Sequence, residues 1–505
     1  MIHTQMEGPT NVRSAALLPR VSGRACIRAP AFRHDTRRCP RSRAASPRAR
    51  TFTTIAPRGG KATLHRSGSR CADSKLLASE SDDRAKVLVI GGTGAVGSAA
   101  AVHLLQSTSR PLKMILAGRN QRNGELRLEE ILKELDAQQL VGKGHTLEYI
   151  QLNWRDRQAL AKAAEGATLV MHTAGPYAEQ QPDILSMCIS TGVPCYVDLA
   201  DPLEYIAAAK ALSSKAKTGP GTMALLASGA FPGFSNLLAM ECASRLDKPV
   251  RDLSFRYFTA GLGGSGPVNL LITNQGFGEA VPTWKKGKSA PAMVAGLESE
   301  VVDFFIDSSD VSADRVGACT VWSWPFPEVS TVAATLGITG DSTVKMGTSP
   351  ELWNVIMGWM VQVIPRQWWQ STAFSQAMAN FSEPMVRLTD KFVGETHCMR
   401  VDVTDIEGNV CTAVQGHNSF RRVVGQCCAE FAMTLLERHA AAPEGSAWRP
   451  GVYLPEELLT DEHREERTVL LARLSAVPGT FTYRFSGMPK DGNHTVLTSE
   501  TTTIA

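Results

Sequence analysis

A glycine-rich turn between an apolar run and a helical pattern is the clearest chemistry-bearing feature of the chain. Residues 86–97 read K-V-L-V-I-G-G-T-G-A-V-G, with glycines at 91, 92, 94 and 97. This spacing is typical of dinucleotide-binding loops. Gly92 permits the tight turn, Gly94 lets the backbone approach a pyrophosphate, and Gly97 lets the next helix pack on the strand. That helix, predicted over residues 95–106, would direct its free amides and positive dipole end at the phosphates.

The end of the second apolar run indicates which dinucleotide is bound. Residues 112–117 are followed by Gly118, Arg119 and Asn120. NAD-binding chains usually carry an acidic residue here for the ribose hydroxyls, and this sequence has none at that point. Because the planar cation of Arg119 suits a 2′-phosphate, the sequence favours NADP(H) over NAD(H).

Two side chains at the ends of later strands are candidates for moving a proton, which hydride transfer requires in addition to the cofactor. Tyr177 follows a Gly-Pro turn, and it can donate through its hydroxyl or stack on the nicotinamide. Asp198 ends a strand, where it can act as a base or cap the next helix. Tyr177 and Asp198 are therefore the candidate catalytic residues, whereas His172, inside the fourth strand, is expected to be a core histidine.

The elements that must position these residues alternate between strand and helix from residue 86 onwards. Six apolar runs separated by helical patterns predict a doubly wound sheet, whose ligands bind at the carboxyl ends of the strands. After residue 231 the pattern changes. Alternation at 253–257 predicts an edge strand, a second glycine cluster at 261–266 predicts a lid or helix start, and short strands are predicted at 318–324, 329–336 and 399–403. The predicted fold class is α/β, a Rossmann-like doubly wound parallel sheet with a second α+β domain.

The domain boundaries follow from composition and pattern. Residues 1–75 hold fourteen arginines and only three acidic residues, Glu7, Asp35 and Asp73, and no uninterrupted apolar core. We interpret residues 1–80 as a transit peptide or disordered segment. Residues 81–228 are predicted to be the NADP-binding domain and 229–438 the α+β substrate or dimerisation domain. Residues 439–505 are predicted to pack back on the first domain and to end in a disordered tail.

Composition argues against several other classes of protein. The net charge is +4 and the basic residues concentrate at the N-terminus, so the body of the chain does not resemble a nucleic-acid-binding protein. The eleven cysteines are scattered without C-x-x-C spacing, so neither a disulfide framework, a zinc site nor any other metal site is expected. Apolar runs stay shorter than the roughly eighteen residues of a spanning helix, and a soluble protein is expected.

One segment is apolar nearly all round. Trp353–Ile364 reads W-N-V-I-M-G-W-M-V-Q-V-I and is followed by Trp368 and Trp369. Three placements are open: between the domains, in a homodimer interface, or at a membrane surface with tryptophans at the headgroup level. Burial is the prediction, because exposing the large side chains would forfeit roughly 1.5 to 3 kcal/mol each.

Six motifs together resemble a known family. They are G-G-T-G-A-V-G (91–97), A-G-R-N (117–120), H-T-A-G-P-Y (172–177), G-V-P-C-Y-V-D-L (192–199), G-A-F-P-G-F-S-N (229–236) and G-V-Y-L-P-E (451–456). In this order they resemble the saccharopine dehydrogenase-like oxidoreductases, notably the plastid-targeted plant and algal branch. The resemblance implies a plastid location, with the mitochondrion as the alternative from composition, and an α+β sheet that covers the nicotinamide cleft.

The resemblance also implies binding roles. The pyrophosphate would be held by Gly91, Thr93, Gly94, Ala95, Val96 and Gly97, the adenosine phosphate by Arg119 and Asn120, and the nicotinamide ribose by Ala174, Gly175 and Pro176. The substrate does not transfer with the family, because loop 261–266, Phe277 and Trp284 indicate a less polar cleft than a tricarboxylic substrate needs.

Two functions remain open from sequence. The first is an NADP(H)-dependent oxidoreductase that transfers hydride to or from a small metabolite or lipid-like substrate in the plastid. The second is a catalytically silent Rossmann-fold nucleotide-binding or scaffold protein, with membrane association as an option, since fold does not fix function. The expected partners are a small-molecule or lipid-like substrate, a membrane surface in peripheral contact, and a second copy of the chain in a homodimer.

Overall fold

The computed structural model describes residues 84–135, 140, 142–178, 180–218, 221–261, 267–442 and 449–486. The predicted transit segment, most of the glycine cluster at 261–266 and the predicted disordered tail lie outside the described residues. The described elements form two sheets with helices packed on both.

The first sheet has seven strands, all parallel, and contains the glycine loop at its centre. In chain order its strands are β1 (Ala85–Ile90), β2 (Leu112–Gly118), β3 (Thr146–Gln151), β4 (Leu169–His172), β5 (Cys195–Asp198), β6 (Met223–Leu225) and β15 (Gly451–Tyr453). Their order across the sheet is β15-β6-β5-β4-β1-β2-β3. The chain reverses direction across the sheet between β1 and β4, and a crevice at such a point is where doubly wound sheets bind ligands.

Alternate residues of β1 pack into two separate cores on the two faces of this sheet. Val87 and Val89 lie in one apolar cluster and Leu88 and Ile90 in the other, and all four are buried. This explains the unbroken apolar run, because both faces are covered. The covering helices are α1 (Ala95–Ser107), α2 (Gln121–Glu134), α3 (Arg157–Ala164), α4 (Asp183–Thr191), α5 (Leu203–Lys210), α6 (Ser213–Thr218) and, from late in the chain, α14 (Phe420–Ala441).

The second sheet has nine strands and is mixed. Its strands are β7 (Val250–Ala260), β8 (Ala280–Lys285), β9 (Lys288–Val294), β10 (Ser299–Asp303), β11 (Ala318–Ser323), β12 (Ser342–Ser349), β13 (Thr396–Asp405), β14 (Val410–His417) and β16 (Thr480–Phe485). The main path is β10-β11-β12-β7-β13-β14-β16, and the β8–β9 hairpin joins at β12. Only the β12–β7 pairing is parallel.

Nine further helices accompany the second sheet in the described part of the chain. They are α7 (Phe234–Arg245), α8 (Pro267–Gly278), α9 (Val311–Arg315), α10 (Glu328–Leu336), α11 (Glu351–Val363), α12 (Arg366–Trp369), α13 (Thr372–Val393), α15 (Pro455–Leu458) and α16 (Arg464–Ser475). A Rossmann-like parallel sheet with a second α+β domain is therefore confirmed.

Two local predictions about the second domain are wrong. The segment 253–257 is central, because β7 lies between β12 and β13. Its alternation reflects one covered face, on which Leu253, Phe255 and Tyr257 are buried. The segment 329–336 is not a strand but helix α10, which ends at Gly337 in a left-handed conformation. A short run rich in Val and Thr fits either structure, and here the 3.6-residue periodicity prevails.

The prediction that Trp353–Ile364 is buried is also wrong. In α11 only Asn354 and Gly358 are buried, whereas Trp359 is 61% exposed. The helix turns its small and polar residues inward: a Cβ at Gly358 would lie 3.0 Å from the Trp322 ring, and Asn354 Nδ2 donates to the Thr348 carbonyl at 2.9 Å. Within the described residues, no helix is both long and apolar enough to cross a bilayer.

Helix α14 fastens the late part of the chain to the first domain through a close contact with α1. A Cβ at Gly425 would lie 2.6 Å from the Val96 carbonyl oxygen and 2.8 Å from the Ala100 amide nitrogen. Beside this contact, His103 Nε2 and Glu430 Oε1 lie 2.6 Å apart in a buried pair. The two helices can approach this closely because residue 425 has no side chain.

We therefore expect Gly425→Ala to destabilise the protein by about 1 to 3 kcal/mol, because the added methyl meets backbone atoms that cannot move aside. Denaturant unfolding followed by circular dichroism measures the loss. Gly142→Ala is the matched control, since a Cβ there has nothing within 4 Å. Equal stability of the Gly425→Ala variant and the wild type would contradict the close contact.

Candidate functional site

The glycine loop after β1 is shaped by two close backbone approaches. Gly91 has a φ of +82°, a left-handed conformation that favours glycine. A Cβ at Gly97 would lie 2.4 Å from the Gly91 carbonyl oxygen and 2.5 Å from Thr173 Oγ1. Helix α1 therefore reaches β1 and β4 only with glycine at position 97, as predicted. The left-handed conformation falls on Gly91, and Gly92 lies in the same tight turn, where a Cβ would be 3.0 Å from the Val89 carbonyl oxygen.

The start of α1 is open toward a ligand. Gly94 is the N-cap residue, no side chain caps the helix, and its first turn holds no acidic residue. A Cβ at Gly94 would have only the Gly91 carbonyl oxygen, at 3.2 Å, within 4 Å. Uncapped amides at the positive end of a helix dipole, with open space in front of them, fit a pyrophosphate.

A cavity of about 880 Å³ joins this loop to the second domain, near the upper end of the roughly 300 to 1,000 Å³ usual for small-molecule sites. Most of the predicted cofactor residues line it, namely Gly91, Thr93, Gly94, Ala95, Val96, Gly97, Arg119, Ala174, Gly175 and Pro176. Asn120 does not belong to this lining. Its Oδ1 accepts a hydrogen bond from the Asn123 amide at 3.0 Å and caps α2, and its assignment to the adenosine phosphate stays a prediction.

The adenosine end of the cavity carries two cations. Arg119 is exposed at the tip of β2 and lines the cavity, and Gln151 Nε2 holds its carbonyl oxygen at 3.0 Å. Arg155 also lines the cavity, with its guanidinium carbon 4.5 Å from the centre of the Trp154 ring. Sequence analysis missed Arg155, although its position just after β3 places it at the same edge of the sheet.

Tyr177 lines the cavity with its ring, while its hydroxyl is engaged elsewhere. The hydroxyl donates to the His172 carbonyl oxygen at 2.5 Å and accepts from the Leu199 amide at 3.2 Å. Burial raises the pKa of Tyr177 well above its usual value. This arrangement agrees better with a packing or stacking role than with proton donation.

Asp198 lies beneath the cavity rather than in its lining. Its Oδ1 accepts from the amides of Ala200 and Ala227, and its Oδ2 accepts from the Tyr196 hydroxyl at 3.0 Å. Burial raises its pKa to about 6. The expectation that Asp198 faces the substrate is thus corrected: its oxygens hold the loops after β5 and β6 in place.

His172 is buried in the same region, as expected for a core histidine. Its Nδ1 lies 3.1 Å from the Tyr196 hydroxyl, and burial lowers its pKa to about 3. The ring is therefore neutral at physiological pH, and the imidazolium form that could act as a general acid is not populated there.

Two carboxyl groups that were not predicted from the sequence line the cavity from its two domains. Asp201 follows β5 in the first domain, Glu279 follows α8 in the second, and both line the cavity. Burial raises the pKa of Asp201 to about 6. Burial, followed by the carboxylates of Asp201 and Glu204, raises the pKa of Glu279 to about 7. The pair therefore retains a proton near neutral pH.

The wall around this pair is largely aromatic. Phe277, predicted to lie in the cleft, lines the cavity and packs edge-on against Trp324, with ring centres 5.3 Å apart. Trp284, predicted beside it, packs against the core outside this lining. Across the described ranges, no cluster of three or more His, Cys, Asp or Glu side chains is placed to hold a metal ion.

The sheet order, the glycine loop and its position at the strand reversal are those of an NAD(P)-binding fold. The model of the NAD dependent epimerase/dehydratase family matches residues 87–185, which run from β1 into α4. No curated protein matches the chain.

Three solved structures are similar to the chain at low sequence identity. The chain is similar to apo saccharopine dehydrogenase (L-Glu forming) from Saccharomyces cerevisiae, with 13% identity over 79% of this chain and 99% of that one and a TM-score of 0.49. A meso-dapdh mutant with DAP from Clostridium tetani E88 matches with 10% identity over 74% and 94% and a TM-score of 0.34. A short-chain dehydrogenase from Sphingobium yanoikuyae in complex with NADPH matches with 13% identity over 28% and 70% and a TM-score of 0.21.

Proposed function

We propose that the chain is an NADP(H)-dependent oxidoreductase that transfers hydride to or from a small or lipid-like substrate. The observation that carries this proposal is one cavity lined both by the glycine loop after β1 and by the carboxyl groups of Asp201 and Glu279, the second with a pKa raised by burial to about 7. A silent scaffold protein has no need for a protonated carboxyl beside its nucleotide, so the enzymatic function is favoured.

The residues of the first domain would bind and orient the dinucleotide. The loop 91–97 and the N-terminus of α1 fit the pyrophosphate, and the segment 174–176 fits the nicotinamide ribose. Gln180 Nε2 fixes that segment by donating to the carbonyl oxygens of Ala174, at 2.8 Å, and Pro176, at 2.6 Å. A bound nicotinamide would supply or accept the hydride.

Glu279 and the aromatic residues of the second domain, together with Asp201 of the first, would hold the transferable proton and exclude water. Burial raises the pKa of Glu279 to about 7, so its protonated form is populated at neutral pH, and in the reductive direction it would give that proton to the substrate atom that gains negative charge. As the pH falls, Asp201 stays ionised to a lower pH than Glu279 does. Its negative charge adds to the effect of burial in raising the pKa of Glu279. Phe277 and Trp324 shield the pair from bulk water.

Preference for NADP(H) forms the second part of the proposal. Arg119 and Arg155 offer two cations at the adenosine end, and no carboxylate is among the described residues 117–120 at the tip of β2. Two guanidinium groups suit a 2′-phosphate and offer nothing specific to a free 2′-hydroxyl. We also propose the plastid as the compartment, on the composition of residues 1–80 and the family resemblance.

We expect Arg119→Ala to lose most of the preference for NADPH over NADH, by about 1.5 to 3 kcal/mol for a charge-assisted contact. Calorimetric titration of the wild type and the variant with each cofactor measures it. Arg157→Ala, which removes an exposed arginine outside the cavity lining, is the control. Equal affinities of the wild type for the two cofactors would remove the basis for NADP(H).

A screen for NADPH oxidation tests the activity itself. The purified protein is mixed with NADPH and a panel of aldehydes, ketones and enals, and absorbance at the nicotinamide band is followed. Turnover with at least one class of carbonyl or alkene supports an oxidoreductase. Tight NADPH binding without turnover on any of them supports the silent nucleotide-binding protein.

A further inference from the structure

The part of the cavity that lies in the second domain is lined by many apolar side chains, together with polar ones such as Asn269, Thr273 and Asp390. Helices α8, α11 and α13 form its walls, and Trp353 Nε1 on α11 contacts Thr389 Oγ1 on α13 at 3.3 Å. Five methionines contribute to the lining: Met346, Met357, Met360, Met378 and Met385. Unbranched thioether side chains adapt to flexible apolar ligands, so this half of the cavity has walls suited to a hydrocarbon chain.

The mouth of this apolar half opens on an exposed apolar surface. Phe381 and Met385 of α13 line the cavity and are also 69% and 42% exposed, and Val268 and Ile272 of α8 behave in the same way. A cavity for a polar metabolite gains nothing from such a rim. An apolar rim instead lowers the cost of moving a hydrocarbon chain into the site without passing through water.

The surface continues along both helices as two stripes, which we call the apolar face. On α11 its members are Leu352, Val355, Trp359 and Val363, and on α13 they are Phe381, Met385, Leu388 and Phe392. Each stripe repeats every three or four residues, so each lies on one side of its helix. Contiguous apolar surface of this kind marks a site of interaction with a protein or a membrane.

The charges beside the apolar face cancel. Arg387 pairs with Glu383 at 2.7 Å, and the positive charge of Arg366 is matched in number by the negative charge of Glu351 at the start of α11. Lys391 lies next to Asp390 in sequence. Because the face has no excess of either sign, it suits the surface of a neutral, zwitterionic bilayer, and contact with that surface should depend little on salt.

We propose that the chain takes a substrate with a long hydrocarbon chain directly from a lipid bilayer. The apolar face rests in the bilayer surface, and the apolar half of the cavity receives the hydrocarbon chain while the reactive carbonyl or alkene lies toward Glu279. A second copy of the chain on this face would instead close the cavity mouth. The inference rests on the proposed function, since it names the substrate class for that same site.

Two variants separate the bilayer contact from the chain-binding site. The double variant Trp359→Ser/Phe392→Ser changes side chains of the apolar face that are outside the cavity lining. Met357→Glu places a charge inside the apolar half. Val301→Ser/Val410→Ser is the control, because these side chains are 71% and 53% exposed but belong to the β10 and β14 strands.

Binding to phosphatidylcholine vesicles is measured by flotation at low and high salt, and binding of N-phenyl-1-naphthylamine by its fluorescence in the presence of NADPH. We expect the wild type to float at both salt concentrations. The Trp359→Ser/Phe392→Ser variant should lose at least about tenfold in vesicle partitioning and keep its affinity for the probe. Met357→Glu should bind the probe much more weakly than the wild type does and should bind vesicles as strongly.

Three results would overturn the inference. They are a wild type that does not float, probe binding that is insensitive to Met357→Glu, and a wild-type dimer in sedimentation that Trp359→Ser/Phe392→Ser converts to a monomer. NADPH binding is followed separately by nicotinamide fluorescence, so that the two proposals are tested independently. A wild type that does not bind NADPH would contradict the proposed function and would leave the vesicle and probe results to be judged by themselves.

Discussion

Gly94→Val should lower NADPH affinity by at least about a hundredfold while the protein stays folded. Gly94 begins α1 at the point where a pyrophosphate would approach the backbone, and its Cβ would point into the open cavity. An isopropyl group there occupies the space that the phosphates need. The sheet does not depend on this position, because only the Gly91 carbonyl oxygen lies within 4 Å of the added Cβ.

Fluorescence titration with NADPH measures the affinity, and circular dichroism verifies the fold. Gly142→Val is the matched control: it adds the same group at an exposed glycine with no neighbour within 4 Å and should bind NADPH as the wild type does. A Gly94→Val protein with normal affinity would show that the phosphates bind elsewhere.

Glu279→Gln should lower the rate of substrate reduction by about a hundredfold or more, the usual contribution of a positioned general acid. The amide keeps the size of the side chain but has no acidic proton. In the wild type the pKa of Glu279, raised to about 7, means that the neutral acid predominates below pH 7. The rate of reduction should therefore hold below that pH and decline above it, and the variant should lose this dependence.

The control for Glu279 is a neighbouring carboxylate outside the cavity lining. Glu204 raises the pKa of Glu279 through its charge. Glu204→Gln should therefore leave the maximal rate of reduction unchanged and move the midpoint of the pH profile to lower pH. A Glu279→Gln variant with a wild-type rate and pH profile would exclude Glu279 as the proton donor, and Asp201 would take its place as the candidate.

The first domain was predictable because its physical requirements are local. Four consecutive apolar residues indicate a strand that is covered on both faces. The close approach of residue 97 to Gly91 leaves no room for a Cβ, so it requires glycine. Strand, turn and helix are therefore encoded within about a dozen residues. The position of Arg119 at the end of β2 was predictable for the same reason, because it follows from the position of the glycine loop. The pattern did not fix the role of Asn120, because an exposed Asn before a helix serves as well for capping, as its Oδ1 does here, as for binding.

The proton-carrying site was not predictable because no local pattern encodes it. Glu279 follows a helix in the second domain, and only the tertiary structure places it near Asp201. The pKa of each carboxyl group depends on burial that the sequence does not show. Tyr177 and Asp198 stand at strand ends as predicted, but their polar atoms are used by neighbouring backbone and side chains.

Helix α11 shows the limit of composition as a guide to burial. An almost entirely apolar sequence predicts a helix enclosed on all sides, yet its contact with β11 and β12 is made by Asn354 and Gly358. The helix face that contains Gly358 points inward, because only a residue without a side chain leaves room for the indole of Trp322. Hydrophobicity alone therefore did not identify the buried face.

A crystal structure of the complex with NADPH tests the central claim most directly. We expect the pyrophosphate to lie against the loop 91–97 and the 2′-phosphate to lie within reach of Arg119. The nicotinamide should lie inside the cavity on the side of Glu279. A dinucleotide bound outside this cavity, or a nicotinamide turned away from Glu279 into solvent, would contradict it.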